Sequence, residues 1–427
     1  MKVWAVLLLF AVANAKHEQY QGWKSYFVKP FNTVQLQVLG SVVEKYGIDF
    51  LSNPAVERNG LALVKPELHE DFIKSLRNHG IAYKIHAEDV KAQLDIDDEL
   101  MEKRRRKSSG MKNGTIPLDN YLELEEIYDY IDYIAEQYPD LVTIISPGNS
   151  FEGRPLKYLK ISTTNFEDKN KPIILIDAGF FGRDWITPSI VLYALHNLTQ
   201  SDMLHDYDWI LIPVANPDGY KYSFTNDRFW IKTRSTDQHL LSIVCPGVNV
   251  NRNFDFFWNT IGTSNTPCAD NYAGSKPLSE KETFLLNDSL GEFISRVVLD
   301  ISLHSYGSLI LFPWGHDGSL SNHAFALQSV GVSIADTIYA NSLPDFPRYI
   351  VGNSALVTGI ETSGTGIDYA HMLGIPLTFN LRLPGIEEGT EGFQLDPEYI
   401  EQLAKETWAG IVVGARRAAE LFGNTRN

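Results

Sequence analysis

The chain has 427 residues, of which 44% are hydrophobic and 21% are charged, and its formal net charge is −16. This length allows two or more domains of roughly 100–200 residues each, and the apolar fraction supports a sizeable core. The negative charge argues against binding to nucleic acid or to anionic membranes, and it is interpreted as a contribution to solubility.

The first 15 residues have the pattern of a secretory signal peptide. Lys2 precedes a short apolar run that closes on Ala13-Asn14-Ala15, and we expect cleavage after Ala15. The run is too short to cross a bilayer, which needs about 20 apolar residues. We therefore expect a secreted, extracellular protein without membrane insertion.

Residues 16 to about 100 predict a small α+β unit. Apolar segments predict strands at 25–28, 48–51, 60–64 and 81–85. Amphipathic spacing predicts one helix capped by Thr33 and a second helix from Glu67 to His79. The resulting order, β-α-β-β-α-β, is the ferredoxin-like pattern.

A basic run follows this unit. Residues 103–107 are all Lys or Arg, and Ser108-Ser109-Gly110 come next. Such a run predicts an exposed linker that proteases can reach. Its position between two domains favours a propeptide cleavage site over a solvated charge run. We divide the chain into a signal peptide at 1–15, a propeptide at 16–107 and a main domain at 108–427.

The main domain predicts an α/β fold from about Thr115 onward. A helical stripe runs from Leu122 to Ile134, and buried strands are predicted at 156–161, 173–176, 209–214 and 297–303. Continuous apolar runs separated by helical segments indicate a parallel or mixed sheet covered on both faces.

The chain has two cysteines, Cys245 and Cys268. In an oxidising compartment an even pair usually forms a disulfide, and two free buried thiols are the alternative. Asn-x-Ser/Thr sequons at Asn113, Asn197 and Asn287 predict N-glycosylation at one or two of these sites.

Several motifs of the main domain, taken in order, resemble the metallocarboxypeptidases of the carboxypeptidase A/B family. They lie at 151–155 (FEGRP), 216–220 (NPDGY), 228–234 (RFWIKTR), 250–254 (VNRNF) and 303–307 (LHSYG). The resemblance covers nearly the whole chain. It implies a mixed eight-stranded sheet with helices on both sides, an activation-type propeptide, zinc as cofactor and a disulfide between the two cysteines.

The chain departs from this family at the zinc-binding turn. The family reads Gly-x-His-x-Arg-Glu-Trp there, and residues 179–185 read Gly-Phe-Phe-Gly-Arg-Asp-Trp. Phe181 therefore replaces a histidine ligand, Asp184 replaces the glutamate ligand, and only His304 matches the later histidine ligand. A benzyl group has no lone pair for a metal, and catalytic zinc uses three protein ligands. We therefore expect zinc binding to be weak or absent here.

Other functional positions of the family are also replaced. Asn380 stands where the family has its glutamate base, and a carboxamide cannot accept a proton near neutral pH. Ile231 replaces the arginine that stabilises the oxyanion. Ile360 replaces the tyrosine that caps the bound substrate.

The family's carboxylate-binding residues are retained. Asn251 and Arg252 match the pair that holds the substrate's terminal carboxylate, and a planar guanidinium suits that group. Ile367 matches the base of the side-chain pocket, where an apolar residue favours apolar or aromatic C-terminal side chains. The full implied substrate-binding set is Arg183, Arg228, Asn251, Arg252, Ser305, Tyr306, Ile360 and Ile367.

These residues support three hypotheses. The first is a secreted, monomeric, catalytically inactive homologue that binds peptide or protein C-termini. The second is an active, A-like zinc carboxypeptidase that uses Asp184, His304 and a third ligand in extracellular proteolysis. The third is a scaffold whose pocket is a relic.

Overall fold

The structure is a computed structural model that describes residues 16–106, 114–116, 118–237, 239–344, 346–385 and 392–423. The predicted signal peptide, residues 107–113 of the cleavage region and the Asn113 sequon lie outside these residues. Within these ranges, no helix combines the length and the apolarity that a membrane crossing requires.

The N-terminal unit has the predicted ferredoxin-like order. Its elements are β1 (Lys24–Lys29), α1 (Thr33–Tyr46), β2 (Asp49–Ser52), β3 (Gly60–Val64), α2 (His69–Asn78) and β4 (Ala82–Ala87), with short 3-10 turns at Glu18–Tyr20 and Pro66–Leu68. The strands form an antiparallel sheet in the order β2-β3-β1-β4. The cap of α1 is Asn32 rather than the predicted Thr33, because the Asn32 side chain accepts a hydrogen bond from the Gln35 N–H.

The start of the basic run is helical, which corrects the prediction of a linker there. Helix α3 (Val90–Arg105) continues through the acidic segment into the basic residues, because Leu94 and Met101 are buried in the core. Arg104 pairs with Asp396 at 2.5 Å, so this end of the helix is fastened to the main domain.

The main domain contains the predicted mixed sheet of eight strands. The strands are β5 (Val142–Asn149), β6 (Pro155–Ile161), β7 (Ile173–Ala178), β8 (Asp208–Ile212), β9 (Val297–Ser305), β10 (Leu309–Phe312), β11 (Ile350–Asn353) and β12 (Leu377–Leu383). Their order is β11-β10-β12-β9-β7-β8-β6-β5. The central strands β12, β9, β7 and β8 are parallel, so their carboxyl ends meet at one edge.

Helices cover both faces of this sheet. They are α4 (Leu124–Gln137), α5 (Thr187–Leu198), α6 (Met203–Asp206), α7 (Pro217–Thr225), α8 (Lys281–Leu290), α9 (Ala324–Asn341), α10 (Ser354–Thr358), α11 (Gly366–Met372) and α12 (Ile400–Phe422), with further 3-10 turns between them. Alternate residues of β7 enter different cores: Ile174 and Ile176 pack on the side of α5 and α12, while Ile173 and Leu175 pack on the side of α8 and α11.

The predicted disulfide between Cys245 and Cys268 is present, with an S–S distance of 2.04 Å. The two described sequons lie in helices and are partly buried. Asn197 donates to the Tyr193 carbonyl at 2.7 Å, and Asn287 accepts from the Tyr369 hydroxyl at 2.9 Å. Glycosylation at these two positions remains a prediction.

We expect the double variant Cys245→Ser, Cys268→Ser to lower the free energy of unfolding by about 3 kcal/mol. The bridge joins residues 23 apart, and it restricts the unfolded chain more than the folded one. Urea unfolding of the variant and of the oxidised wild type checks this. A Ser242→Ala variant, three residues before Cys245, serves as the control. Equal stability of the double variant and the wild type would contradict the expectation.

Candidate functional site

The candidate site lies at the carboxyl ends of β7, β9 and β12. The turn after β7 carries Phe181 to Asp184, β9 ends with His304 and Ser305, and β12 carries Asn380. A close approach shapes this turn, because a Cβ on Gly182 would lie 2.2 Å from the Gly219 carbonyl oxygen. Parallel strands and this turn therefore bring residues that are far apart in the sequence into one place.

His304 and Asp184 are bonded directly to each other. His304 Nδ1 donates to Asp184 Oδ2 at 3.0 Å, and the Ser305 hydroxyl donates to Asp184 Oδ1 at 3.3 Å. His304 Nε2 lies 3.4 Å from the Ser302 hydroxyl. The Phe181 ring covers the imidazole, with ring centroids 4.9 Å apart. Both oxygens of Asp184 and both nitrogens of His304 thus have protein partners.

This donor set differs from that of a catalytic zinc site. The described part of the chain holds no group of three or more His, Cys, Asp and Glu residues suited to a metal ion. His304 and Asp184 make two candidate ligands, and Phe181 presents an aromatic ring beside them. Catalytic zinc typically takes three protein ligands and a water molecule, so these residues do not fit the family's metal as they stand.

A buried pair of carboxyl groups lies below His304 on the same face of the sheet. The Ser302 hydroxyl donates to Asp177 at 2.6 Å, and Asp300 lies two residues before Ser302 on β9. Burial, only partly offset by hydrogen bonds from Ser302 and Asp300, raises the pKa of Asp177 to about 7. Burial and the charge of Asp177 raise the pKa of Asp300 well above its ordinary value. The two groups are therefore best accommodated with a shared proton.

Asn380 and Arg382 extend this polar row on β12. In the parallel pairing with β9, Asn380 is opposite Ser302 and Arg382 is opposite His304. Arg382 Nε donates to the Asn380 side-chain oxygen at 3.2 Å. The residue at the position of the family's base is therefore neutral and is bonded to a guanidinium.

Asn251 and Arg252, the residues predicted to hold a terminal carboxylate, lie near Arg382. Arg252 donates to the backbone carbonyls of Asn251, at 2.6 Å, and Gly262, at 3.3 Å. The Asn251 side-chain oxygen accepts from the Gly366 N–H at 2.8 Å, next to the buried Ile367. Burial and the nearby Arg382 lower the pKa of Arg252 to about 10, which leaves it charged at neutral pH.

Three other predicted site residues have surroundings of a different kind. The Arg228 guanidinium stacks on the Trp185 ring at 3.7 Å and donates to the Arg183 carbonyl, so its contacts support the turn. Ile231 is buried. Ile360 follows Gly359, which packs against helix α1 of the propeptide: a Cβ on Gly359 would lie 2.8 Å from the Leu36 side chain.

A propeptide segment covers the cleft. Asp49 pairs with Arg183 at 2.6 Å, and the Phe50 carbonyl accepts from the same guanidinium at 3.2 Å. The Leu51 carbonyl accepts from the Tyr306 N–H at 3.4 Å. The cavity left along this contact measures about 10 Å³, which holds one water molecule at most. The propeptide therefore fills the space between Arg183 and Tyr306.

The sequence reasoning did not single out Arg382, Ser302, Asp177 or Asp300. A signal for three of them was available, because residues two apart on a strand share a face. Ser302 and Asp300 precede His304 by two and four positions, and Arg382 follows Asn380 by two.

The comparisons with known proteins agree with this architecture. The profile of the zinc carboxypeptidase family matches residues 127–410, and that of the carboxypeptidase activation peptide matches residues 26–97. The chain belongs to the zinc carboxypeptidase family. It is 54% identical over 427 residues to carboxypeptidase B of Helicoverpa zea, a match that covers 99% of this chain and 100% of the relative.

Two further comparisons differ in how much of this chain they cover. The crystal structure of carboxypeptidase A from Helicoverpa armigera superposes with a TM-score of 0.87 at 36% identity, over 95% of this chain and 99% of the other. Carboxypeptidase B of Astacus astacus is 33% identical over 316 residues, which are 71% of this chain and 98% of the relative. The first covers nearly the full length, and the second covers a length close to that of the main domain.

We expect Asp300→Asn to reduce the loss of stability that the wild type shows as the pH rises from about 4 to 7. Because the folded-state pKa values of Asp177 and Asp300 are raised, the folded state binds more protons than the unfolded chain in this window. The free energy of unfolding therefore falls with rising pH. Urea unfolding at either end of the window should give a smaller difference for the variant, by at least about 1 kcal/mol.

Asp336→Asn is the control for this measurement, because Asp336 is exposed on α9. Other buried carboxyl groups contribute the same slope to every variant, so the comparison isolates the pair. A pH dependence of Asp300→Asn equal to that of the wild type would refute the shared proton.

Proposed function

We propose that this protein is a secreted homologue of the zinc carboxypeptidases that binds peptide C-termini and does not hydrolyse them. The observation that carries the proposal is the direct hydrogen bond between His304 and Asp184 beneath the Phe181 ring. The propeptide domain and the family's secreted pro-forms support the extracellular location.

Zinc binding at this site is weak or absent. A metal ion at His304 Nδ1 would have to displace Asp184, which accepts that nitrogen's hydrogen at 3.0 Å. Asp184 is also one methylene shorter than the glutamate it replaces, and Phe181 supplies no donor atom. Two ligands that satisfy each other hold a catalytic zinc poorly, because such a site needs three.

The proton chemistry of hydrolysis is also missing. Asn380 stands at the position of the family's base and accepts a hydrogen bond from Arg382, so no carboxylate is available there. Ile231 offers no charge to a developing oxyanion, and such donors contribute roughly 10²–10³-fold to turnover. The chain thus keeps the residues that bind and orient a peptide, and it lacks those that transfer protons during hydrolysis.

Arg252 is suited to the terminal carboxylate of a peptide. Its bonds to the Asn251 and Gly262 carbonyls use two of five N–H donors, so further donors remain for a ligand. Charge-assisted bonds to a carboxylate are about twice as strong as neutral ones, and burial strengthens them further. Ile367 at the base of the pocket favours an apolar or aromatic C-terminal side chain.

The second candidate function is an active zinc carboxypeptidase of A-like specificity. The observation that favours it is the 54% identity to a protein named carboxypeptidase B over the full chain. This function needs a third metal ligand in addition to His304 and Asp184.

Zinc content and turnover distinguish the two functions. We expect protein cleaved at the basic run to hold little zinc and to leave a peptide ending in Phe intact. The double variant Phe181→His, Asp184→Glu should regain zinc, since it restores the family's ligands. Phe181→Leu is the matched control, because it removes the ring without adding a donor. Stoichiometric zinc in the wild type, together with turnover that a chelator stops, would contradict the proposal.

Peptide binding tests the assignment of Arg252. We expect the cleaved wild type to bind a free peptide acid at least about tenfold more tightly than the same peptide amide, since the amide loses the charge-assisted bonds. Arg252→Gln should abolish this preference, whereas Arg417→Gln, at an exposed position on α12, should keep it. Fluorescence anisotropy measures both. Equal binding of acid and amide by the wild type would favour the scaffold role instead.

A further inference from the structure

We propose that the uncovered cleft selects peptides with an acidic side chain upstream of the C-terminal carboxylate, and that Arg183 and Arg382 recognise this side chain. The inference rests on the proposed function, because the terminal carboxylate itself is assigned to Arg252. It adds a specificity that the residue at the base of the pocket, Ile367, does not provide.

The cleft concentrates positive charge. Arg382 interacts electrostatically with both Arg183 and Arg252. Burial and the charge of Arg183 lower the pKa of Arg382 to about 10, with Asp184 acting in the opposite direction. Three guanidinium groups that repel one another therefore stay charged at neutral pH in a protein whose net charge is −16.

The main domain only partly balances this charge. Two of its described carboxylates act on Arg183, namely Asp184 and Asp270, and Asp184 also acts on Arg382. Burial, together with repulsion from Asp49 of the propeptide, raises the pKa of Asp270 to about 6, so this carboxyl group stays largely ionised at neutral pH. Three guanidinium groups therefore face two carboxylates.

The replacement at Asn380 increases the imbalance. In this chain the side chain bonded to Arg382 Nε is a neutral amide, whereas the family has a carboxylate at that position. The loss of that negative charge leaves Arg382 free to attract an anion from a ligand. The same substitution that removes the base therefore lowers the negative charge around Arg382.

The propeptide already provides a peptide of the expected kind. We call residues 49–53 the strap. Its Asp49 carboxylate pairs with Arg183 at 2.6 Å, and its Asn53 side-chain oxygen accepts from Arg382. Arg183 thus takes a carboxylate from an extended chain, while Arg382 takes only a neutral oxygen. A carboxylate at the Arg382 position would make the stronger, charge-assisted bond.

The strap also indicates the chain direction and the class of ligand. It runs from Arg183 towards Arg382, and Arg382 interacts in turn with Arg252. A peptide in this direction places its acidic side chain before its terminal carboxylate. The backbone bond from the Tyr306 N–H to the Leu51 carbonyl is a contact that an extended peptide makes and an isolated anion does not.

Labelled peptides with a common length and a C-terminal Phe test the inference on cleaved protein freed of its propeptide. One series places Asp at each of the four positions before Phe, and the matched series places Asn there. We expect one position at which Asp binds about tenfold more tightly than Asn.

Variants assign that preference to the two arginines. Arg382→Gln and Arg183→Gln should each reduce the Asp-to-Asn ratio severalfold towards one. Arg417→Gln should not change this ratio. Added salt should lower the Asp-to-Asn ratio in the wild type, because the interaction is between charges.

The outcomes separate this inference from the proposed function. Equal binding of Asp and Asn peptides at all four positions, with acid still preferred to amide, overturns the inference alone. Loss of the acid preference as well overturns both. If a glutamine variant does not fold, as judged by its thermal unfolding, the methionine variant at the same position replaces it, because it also removes the charge. A salt-independent Asp-to-Asn ratio in the wild type would also overturn the inference.

Discussion

The hydrogen bond between His304 and Asp184 is the interaction on which the site depends. It joins the end of β9 to the turn after β7, and the Ser305 hydroxyl donates a second hydrogen bond to the same carboxylate. A buried carboxylate is costly unless it is paired and hydrogen-bonded. The His304 and Ser305 donors therefore satisfy this buried carboxylate by hydrogen bonds, and the Phe181 ring lies against the imidazole.

The groups around the His304–Asp184 pair are also charged or titratable. Below the pair, Asp177 and Asp300 lie in the core and share a proton, because two adjacent buried carboxylates cannot both be ionised at low cost. Beside it, Arg183 and Arg382 lack the negative charge of the family's base. Asp49 of the propeptide supplies one such charge from outside the main domain. The form covered by the propeptide therefore has less excess positive charge at Arg183 and Arg382 than the cleft without the propeptide.

The propeptide is fastened to the main domain by apolar packing as well as by charge. Leu51 and Met101 of the propeptide belong to the same buried core as Phe229 and Phe393 of the main domain. Tyr20 packs its ring edge against Phe229 at 5.1 Å and donates its hydroxyl to Asp227 at 2.6 Å. A contact of this kind holds the strap in register over the cleft, so the position of Asp49 is set by the whole domain.

The sequence by itself determined the fold class, the domain order and the identity of the replaced residues. Apolar runs at the centre of the sheet were long enough to predict β6, β7, β8 and β9, and ordered motifs placed the zinc turn. The apolar runs did not predict β5, β10, β11 or β12. β10 and β11 are strands of four residues, and β5 contains a register irregularity against β6, so the alternation pattern is short or broken there.

Only the tertiary structure decided what the retained residues contact. Arg183 meets an aspartate 134 positions away, and the Arg228 guanidinium stacks on the Trp185 ring. A motif specifies which side chain is present, but its partner comes from whichever element packs beside it. For the same reason the sequence showed that a histidine and an aspartate remained, and the fold decided that they bond to each other.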